Sequence, residues 1–222
     1  MILLTAVLGV FSLAVSLAYH NIADGDLWVH LAQGAFIWKT GAIFHKDIFA
    51  FTPVLSEYID HEWGAGLIFF SLLKFFGPCS LLLLKMVIAI ATIIIALSAS
   101  RLSKVKWETL LILAIPVCFA ILPAYAPVVR SYVFTYFFFS VTIFGLESMR
   151  TSGKWPWPVI PVIMFFWANI HGGFMAGIGI VFIYYLVSLI EGKPNKYMLL
   201  TVFTSMAVTL IGSPHSSNVH IL

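Results

Sequence analysis

Apolar residues run along this chain in blocks of about 15 to 22, broken by short polar stretches and Gly or Pro steps. The blocks predict helices over 2–19, 64–76, 79–100, 108–122, 132–149, 159–169, 174–190 and 197–211. Gly77-Pro78 separates the second from the third, and Pro123-Ala124-Tyr125-Ala126-Pro127 interrupts the chain again before Tyr132. One long polar exception, 20–63, follows the first block. Within it, 26–40 contains no Pro and has a helical pattern that Gly41 would terminate. Trp28, Phe36 and Trp38 suit an interfacial position for that helix. The following 43–53 reads as extended or irregular.

Composition sharpens this picture. The 222 residues are 61% hydrophobic and 9% charged, and the mean hydropathy is +1.03. A soluble domain carries about 25% charged residues. The expected class is therefore all-α, a polytopic transmembrane helical bundle. The net charge of +3 is scattered, which argues against a nucleic-acid partner. Cys79 and Cys118 both fall in apolar segments, where buried, inert thiols are expected rather than a disulfide framework. The first block lacks the basic start of a signal peptide, so it reads as a retained first helix despite the small residues Ser16 and Ala18. Gly212-Ser213-Pro214-His215 looks like the opening of a further loop, and a longer natural protein is expected. No internal repeat divides 1–222, which reads as a single module.

Basic residues suggest a topology. The loops at 101–106 (Arg101, Lys104, Lys106), 150–158 (Arg150, Lys154) and 191–196 (Lys193, Lys196) vote for the cytoplasm, whereas 20–63 has only Lys39 and Lys46 and votes for outside. The votes agree if 64–100 crosses once, with 64–76 short or re-entrant. Arg130, His171 and His215 then share the outer side with the 20–63 loop. A full crossing at 64–76 would instead put Arg130 and His215 in the cytoplasm.

Charge placement points to the chemistry. Six of the nine acidic residues, Asp24, Asp26, Asp47, Glu57, Asp60 and Glu62, lie in the 20–63 loop. Asp24 suits a helix N-cap. Asp26, His30 and Gln33 follow at helical spacing as one polar stripe. Such a stripe at a membrane surface can orient a sugar hydroxyl, hold a cation or supply a general base. Asp60-His61-Glu62-Trp63 begins the next apolar block. It reads either as an ordinary helix start or as groups closing over the Asp24 loop, and its His and carboxylates are candidate ligands for Mg²⁺ or Mn²⁺ without a dedicated metal spacing. Arg130 is either a snorkelling interfacial charge or a phosphate binder. Asn169 and His171 lie between two apolar blocks, where polar residues are costly and often functional. An interhelical hydrogen bond is the structural alternative there. Gly172, Gly173, Ala176, Gly177 and Gly179 leave room for a lipid tail or for a close helix partner.

Taken together, Asp24-x-Asp26-Leu-Trp-x-His30-Leu-x-x-Gly34, Asp60-His-Glu-Trp63, Arg130-x-x-x-Phe134-x-Tyr136, Trp167-Ala-Asn-x-His-Gly-Gly173 and Ser213-Pro214 resemble, in this order, a group of bacterial polytopic membrane proteins related to GT-C glycosyltransferases. The last pair departs from that group in having Ser where Asn is usual. The resemblance covers nearly the whole chain and rests on the motifs in combination. It implies a GT-C-like bundle with a long external first loop containing an interfacial helix, in the bacterial inner membrane and acting in the cell envelope. It implies transfer of a sugar from a polyprenyl-phosphate carrier to an acceptor on the outer face. Asp24 would be the catalytic base, Asp26 the second acid, and Arg130 and His171 would hold the carrier phosphate; His30, His61, Glu62 and Asn169 complete the candidate substrate site. Members of the group are longer, so this chain corresponds to an N-terminal module. Two other classes compete. A lipid or solute transporter or flippase would line a path with intramembrane charges such as Lys74, Lys85 and Glu147, and a membrane assembly protein would tolerate loss of the acidic loop.

Overall fold

A computed structural model of the chain describes residues 9, 12, 22–23, 25–47, 49–52, 58, 60–114, 128–151 and 157–212. Among them the regular structure is helical, apart from isolated bridge positions that include Ile22 paired with Val128. Seven helices are bounded at both ends: α1 Gly25–Thr40, α2 Trp63–Phe76, α3 Cys79–Leu102, α4 Tyr132–Thr151, α5 Val159–Ala168, α6 Phe174–Ile190 and α7 Lys196–Ile211. A further helical stretch covers 107–114. The expected first helix at 2–19 and the second half of 108–122 lie outside the described residues, save Gly9 and Ser12.

The breaks have local causes. Gly41 takes φ 67° and Gly77 φ 77°, conformations that favour glycine, so α1 and α2 stop where expected. Asn195 caps α7 by accepting hydrogen bonds from the backbone N–H groups of Tyr197 and Met198 at 2.9 and 3.4 Å. Cys79 is an exposed free thiol rather than a buried one, because it occupies the first turn of α3, just past the Gly77-Pro78 step.

Two helices, α3 and α4, are long and apolar enough to cross a membrane. They run side by side in the same direction. Leu81 and Ile88 of α3 share a core with Val133 and Phe134 at the start of α4, and Ser103, just past α3, donates to Glu147 near the end of α4. α2 begins at the start of α4, since Ser131 contacts Glu62, and α3 begins at that same end. The 64–76 segment therefore does not carry the chain to the opposite end of the bundle.

α4 joins two cores. The first packs Leu27 and Leu31 of α1, Ala65 and Phe69 of α2 and the early part of α3 against Val133. The second packs Leu146 and Met149 of α4 with Trp167 of α5, Val181 of α6 and Met198 of α7. Outside these cores, large apolar side chains such as Leu83, Ile94, Phe182, Ile190, Phe203 and Leu210 remain exposed. A helix apolar on its outer face as well as its inner one needs a non-aqueous surround.

Glycine decides two crossings. α1 and α2 touch backbone to backbone: a Cβ on Gly34 would lie 2.1 Å from the Gly66 carbonyl oxygen. α6 lies on α5 through Gly177, where a Cβ would come within 2.4 Å of Trp167. Gly173 is filled in the same way by Thr135, so these two glycines serve close packing and not a tail groove. Gly179 has open space beside it.

Candidate functional site

Four segments remote in sequence meet where α1, α2 and α4 begin and α5 ends. Their hub is Glu62, whose side chain is 19% exposed. Its Oε2 accepts from the Ser131 hydroxyl at 2.7 Å and faces His30 Nε2 at 3.2 Å. Its Oε1 faces His171 Nε2 at 3.5 Å and His61 Nε2 at 3.7 Å. Asp60, 4% exposed, accepts the Glu62 backbone N–H at 3.0 Å and so shapes the turn into α2.

Backbone donors define the state of His171. Gly173 N–H donates to Nδ1 at 2.9 Å, so Nδ1 carries no proton. The Thr135 hydroxyl lies 2.8 Å from the same nitrogen and accepts from Trp167 Nε1 at 3.0 Å. Its own proton therefore points at Nδ1. The imidazole proton sits on Nε2, toward Glu62. Trp167 and Thr135 thus form a directed chain of donors onto the His171 ring, whose Nε2 faces Glu62 at 3.5 Å.

Burial sets the protonation states. It pushes His171 below its ordinary value, with Glu62 opposing, so the ring is neutral near pH 7. Burial would raise Glu62 as well, but hydrogen bonds from His30 and Ser131 and the nearby His171 outweigh it and hold the carboxyl below the usual range. Asp60 goes the other way: burial pushes it up, and the Glu62 N–H and neighbouring imidazoles only partly compensate. Asp60 Oδ2 and His30 Nδ1 are buried with no hydrogen-bond partner among the described residues.

At the mouth, Asp26 Oδ2 and Arg130 Nη1 are 3.2 Å apart, their side chains 58% and 39% exposed. The expected polar stripe on α1 splits by depth: Asp26 stays at the surface, His30 turns in to Glu62, and Gln33 is buried with its amide donating to Tyr58 at 2.8 Å. Asp24 lies outside the described residues, as do His215 and the Ser213-Pro214 pair.

Asn169 is beside the site, but its groups serve the fold. Its Oδ1 accepts from Trp63 Nε1 at 2.9 Å and its Nδ2 donates to the Phe165 carbonyl at 2.8 Å. Its backbone oxygen takes the Gly64 N–H at 2.9 Å. Asn169→Leu should therefore lower stability by about 1 kcal/mol, read by thermal unfolding in detergent, because the half-buried Trp63 indole N–H loses its acceptor.

Ser131 and Thr135 were not singled out from the sequence. Their signal was weak but present: they are four apart, one helical turn, immediately after Arg130. Among the described residues, no group of three or more His, Cys, Asp or Glu side chains is arranged to hold a metal ion. The imidazoles here point at a carboxylate and not at a common vacant centre.

The fold and site define a helical protein with two helices of membrane-crossing character and an acidic, histidine-rich cluster at one end. No family model, no curated protein and no solved structure matches the chain.

Proposed function

We propose that the chain is the module of a multi-pass GT-C-type glycosyltransferase in the bacterial inner membrane. Its donor would be a sugar on a polyprenyl-phosphate carrier and its acceptor would lie on the outer face. One observation supports this most: Asp26, Asp60–Glu62, Arg130 and Asn169–His171, the motifs that carry the family resemblance, converge at one end of the bundle although they span nearly 150 residues.

The chemistry follows from exposure. In the transfer, an acceptor oxygen bonds to the anomeric carbon while the bond from that carbon to the carrier phosphate breaks. The electron pair leaves with the phosphate, and Arg130, partly exposed and cationic, stabilises that charge. The acceptor proton passes to a surface carboxylate, Asp26 here, with Asp24 one residue before its helix. Glu62 touches neither partner in this scheme. It is a positioning residue that fixes the His171 and His30 rings behind the Asp26–Arg130 pair.

The transporter reading draws on Lys85, 0% exposed within α3. It predicts no covalent product, and the two readings separate in one experiment. Native mass spectrometry of the full-length protein in mild detergent should find a co-purifying polyprenyl-phosphate lipid whose mass shifts by a sugar unit. Arg130→Ala should lose that lipid. Asp26→Asn should keep it but lower transfer to added acceptor by about 100-fold or more. Recovery of bulk phospholipid only from the unaltered protein would overturn the proposal.

A further inference from the structure

The opposite end of the bundle carries a second site. A chamber of about 1020 Å³ opens between the end of α4 and the α6–α7 turn. Its walls include Arg150, Lys193 and Lys196 against a single carboxylate, Glu191, with Trp157 and Tyr184. A groove of about 580 Å³ lies between α3 and α4, walled by Ala96, Ala99, Tyr136, Phe139 and Ile143 with Thr92. Arg150 and Tyr184 line both cavities, so the groove and the chamber adjoin at that pair. From Tyr136 to Arg150 the groove follows α4 for about 21 Å, at 1.5 Å per residue.

The junction is built. Glu147 is held by Arg150 through Nε at 3.0 Å and Nη2 at 2.5 Å, by the Ser103 hydroxyl and by Tyr184 Oη at 3.3 Å. Its charge is thereby neutralised beside the groove. Lys193 and Lys196 remain to give the chamber its positive character, and Gly192, at φ 68°, turns the chain so that both sit on its rim.

A positive, aromatic-walled chamber beside a largely apolar groove one acyl chain long complements an anionic amphiphile in shape and polarity. We propose that this site binds an anionic phospholipid of the surrounding bilayer, with its phosphate headgroup against Lys193 and Lys196 and one acyl chain in the α3–α4 groove. The site is independent of the Asp26–Arg130 cluster, which lies at the other end of α4.

The test uses the full chain in detergent, with lipid binding followed by thermal shift and native mass spectrometry. Phosphatidylglycerol should raise the melting temperature and remain bound, whereas phosphatidylcholine with the same acyl chains should do neither. Lys193→Glu with Lys196→Glu should weaken phosphatidylglycerol binding by about tenfold or more. Lys106→Glu, a charge reversal at the same end but lining a different depression, should leave it unchanged. Ala96→Phe, which fills the groove, should weaken binding with every lysine in place. Equal binding of the two lipids, an equal effect of Lys106→Glu, or equal protection by inorganic phosphate alone would each overturn the proposal. Arg130→Ala should not alter phosphatidylglycerol binding, so failure here and failure of the glycosyltransferase reading are distinguishable.

Discussion

Glu62→Gln should remove nearly all transfer activity and lower stability together. The carboxylate accepts from Ser131 and His30 on Oε2, while its Oε1 faces the His171 and His61 rings at 3.5 and 3.7 Å. An amide has one acceptor oxygen, so its NH₂ must face donors on one side. The buried donors left unpaired cost about 1–3 kcal/mol. Transfer should fall by about 100-fold or more, because the His171 ring loses the group that its Nε2 proton faces. Ser131→Ala, which removes one donor and leaves the charge, should cost less on both counts.

The pH dependence of stability gives this prediction a second reading. His171 is depressed below 6.5, so between its folded value and 6.5 the unfolded chain binds more protons than the native one. Its contribution is present above pH 6.5 and is lost as the pH falls toward the folded value. Glu62, also depressed, adds stability that is present above about pH 4.5 and disappears as the pH falls through its folded value. Asp60 is raised and acts with the opposite sign, gaining as it protonates in the folded state. The melting temperature in detergent should thus decline from pH 7 toward pH 4, with Asp60 softening the decline. In Glu62→Gln, His171 loses the charge that had been holding its value up, so its share of the acid destabilisation should extend to lower pH. A variant curve parallel to that of the unaltered protein would show that the two groups are not coupled.

The second large effect is expected from one added methyl group. Gly34→Ala places a Cβ 2.1 Å from the Gly66 carbonyl oxygen and 2.8 Å from Phe70 Cβ. Backbone cannot rotate away as a side-chain tip can, so α1 must lift from α2. A loss of about 3 kcal/mol or more is expected, at or above the upper end for overpacking. The lift also separates His30 on α1 from Glu62 at the start of α2, so activity should fall even where the variant folds. Gly179→Ala is the control: it lies inside α6 with nothing within 4 Å of the new Cβ, and should raise stability by about 0.5–1 kcal/mol through helix propensity. Thermal unfolding of the two variants, read beside the unaltered protein, compares a filled crossing with an open one.

Much of the architecture was legible in the order of residues because its causes are local. Apolar blocks of helical length and Gly41 and Gly77 as stops each act over one or two turns. Phe174–Ile190 forms as its apolar block predicts, and the other helices begin or end within two residues of expectation wherever the described residues cover them. Residue chemistry also marked Asp26, His30, His61, Glu62, Arg130 and His171 as unusual, since ionisable groups beside long apolar segments are costly without a purpose.

Which of these groups touch, and which rank highest, was settled at longer range. Glu62 read as one acid among several at a helix start, yet it is the hub, because Ser131 lies 69 residues further along and His171 over 100. Thr135, marked only by its one-turn spacing from Ser131, becomes the relay between Trp167 and His171. Asn169, a candidate ligand by its position between apolar blocks, ties α5 to the start of α2. The backbone contact between Gly34 and Gly66 and the groove that opens at Arg150 also depend on which helices pack together. The sequence by itself determined the helices, their breaks and the kinds of chemistry available, since these follow from propensity and periodicity within a few residues. Only the tertiary structure decided the partners, depths and protonation states, since burial and hydrogen bonding are properties of neighbours that the chain brings together by folding.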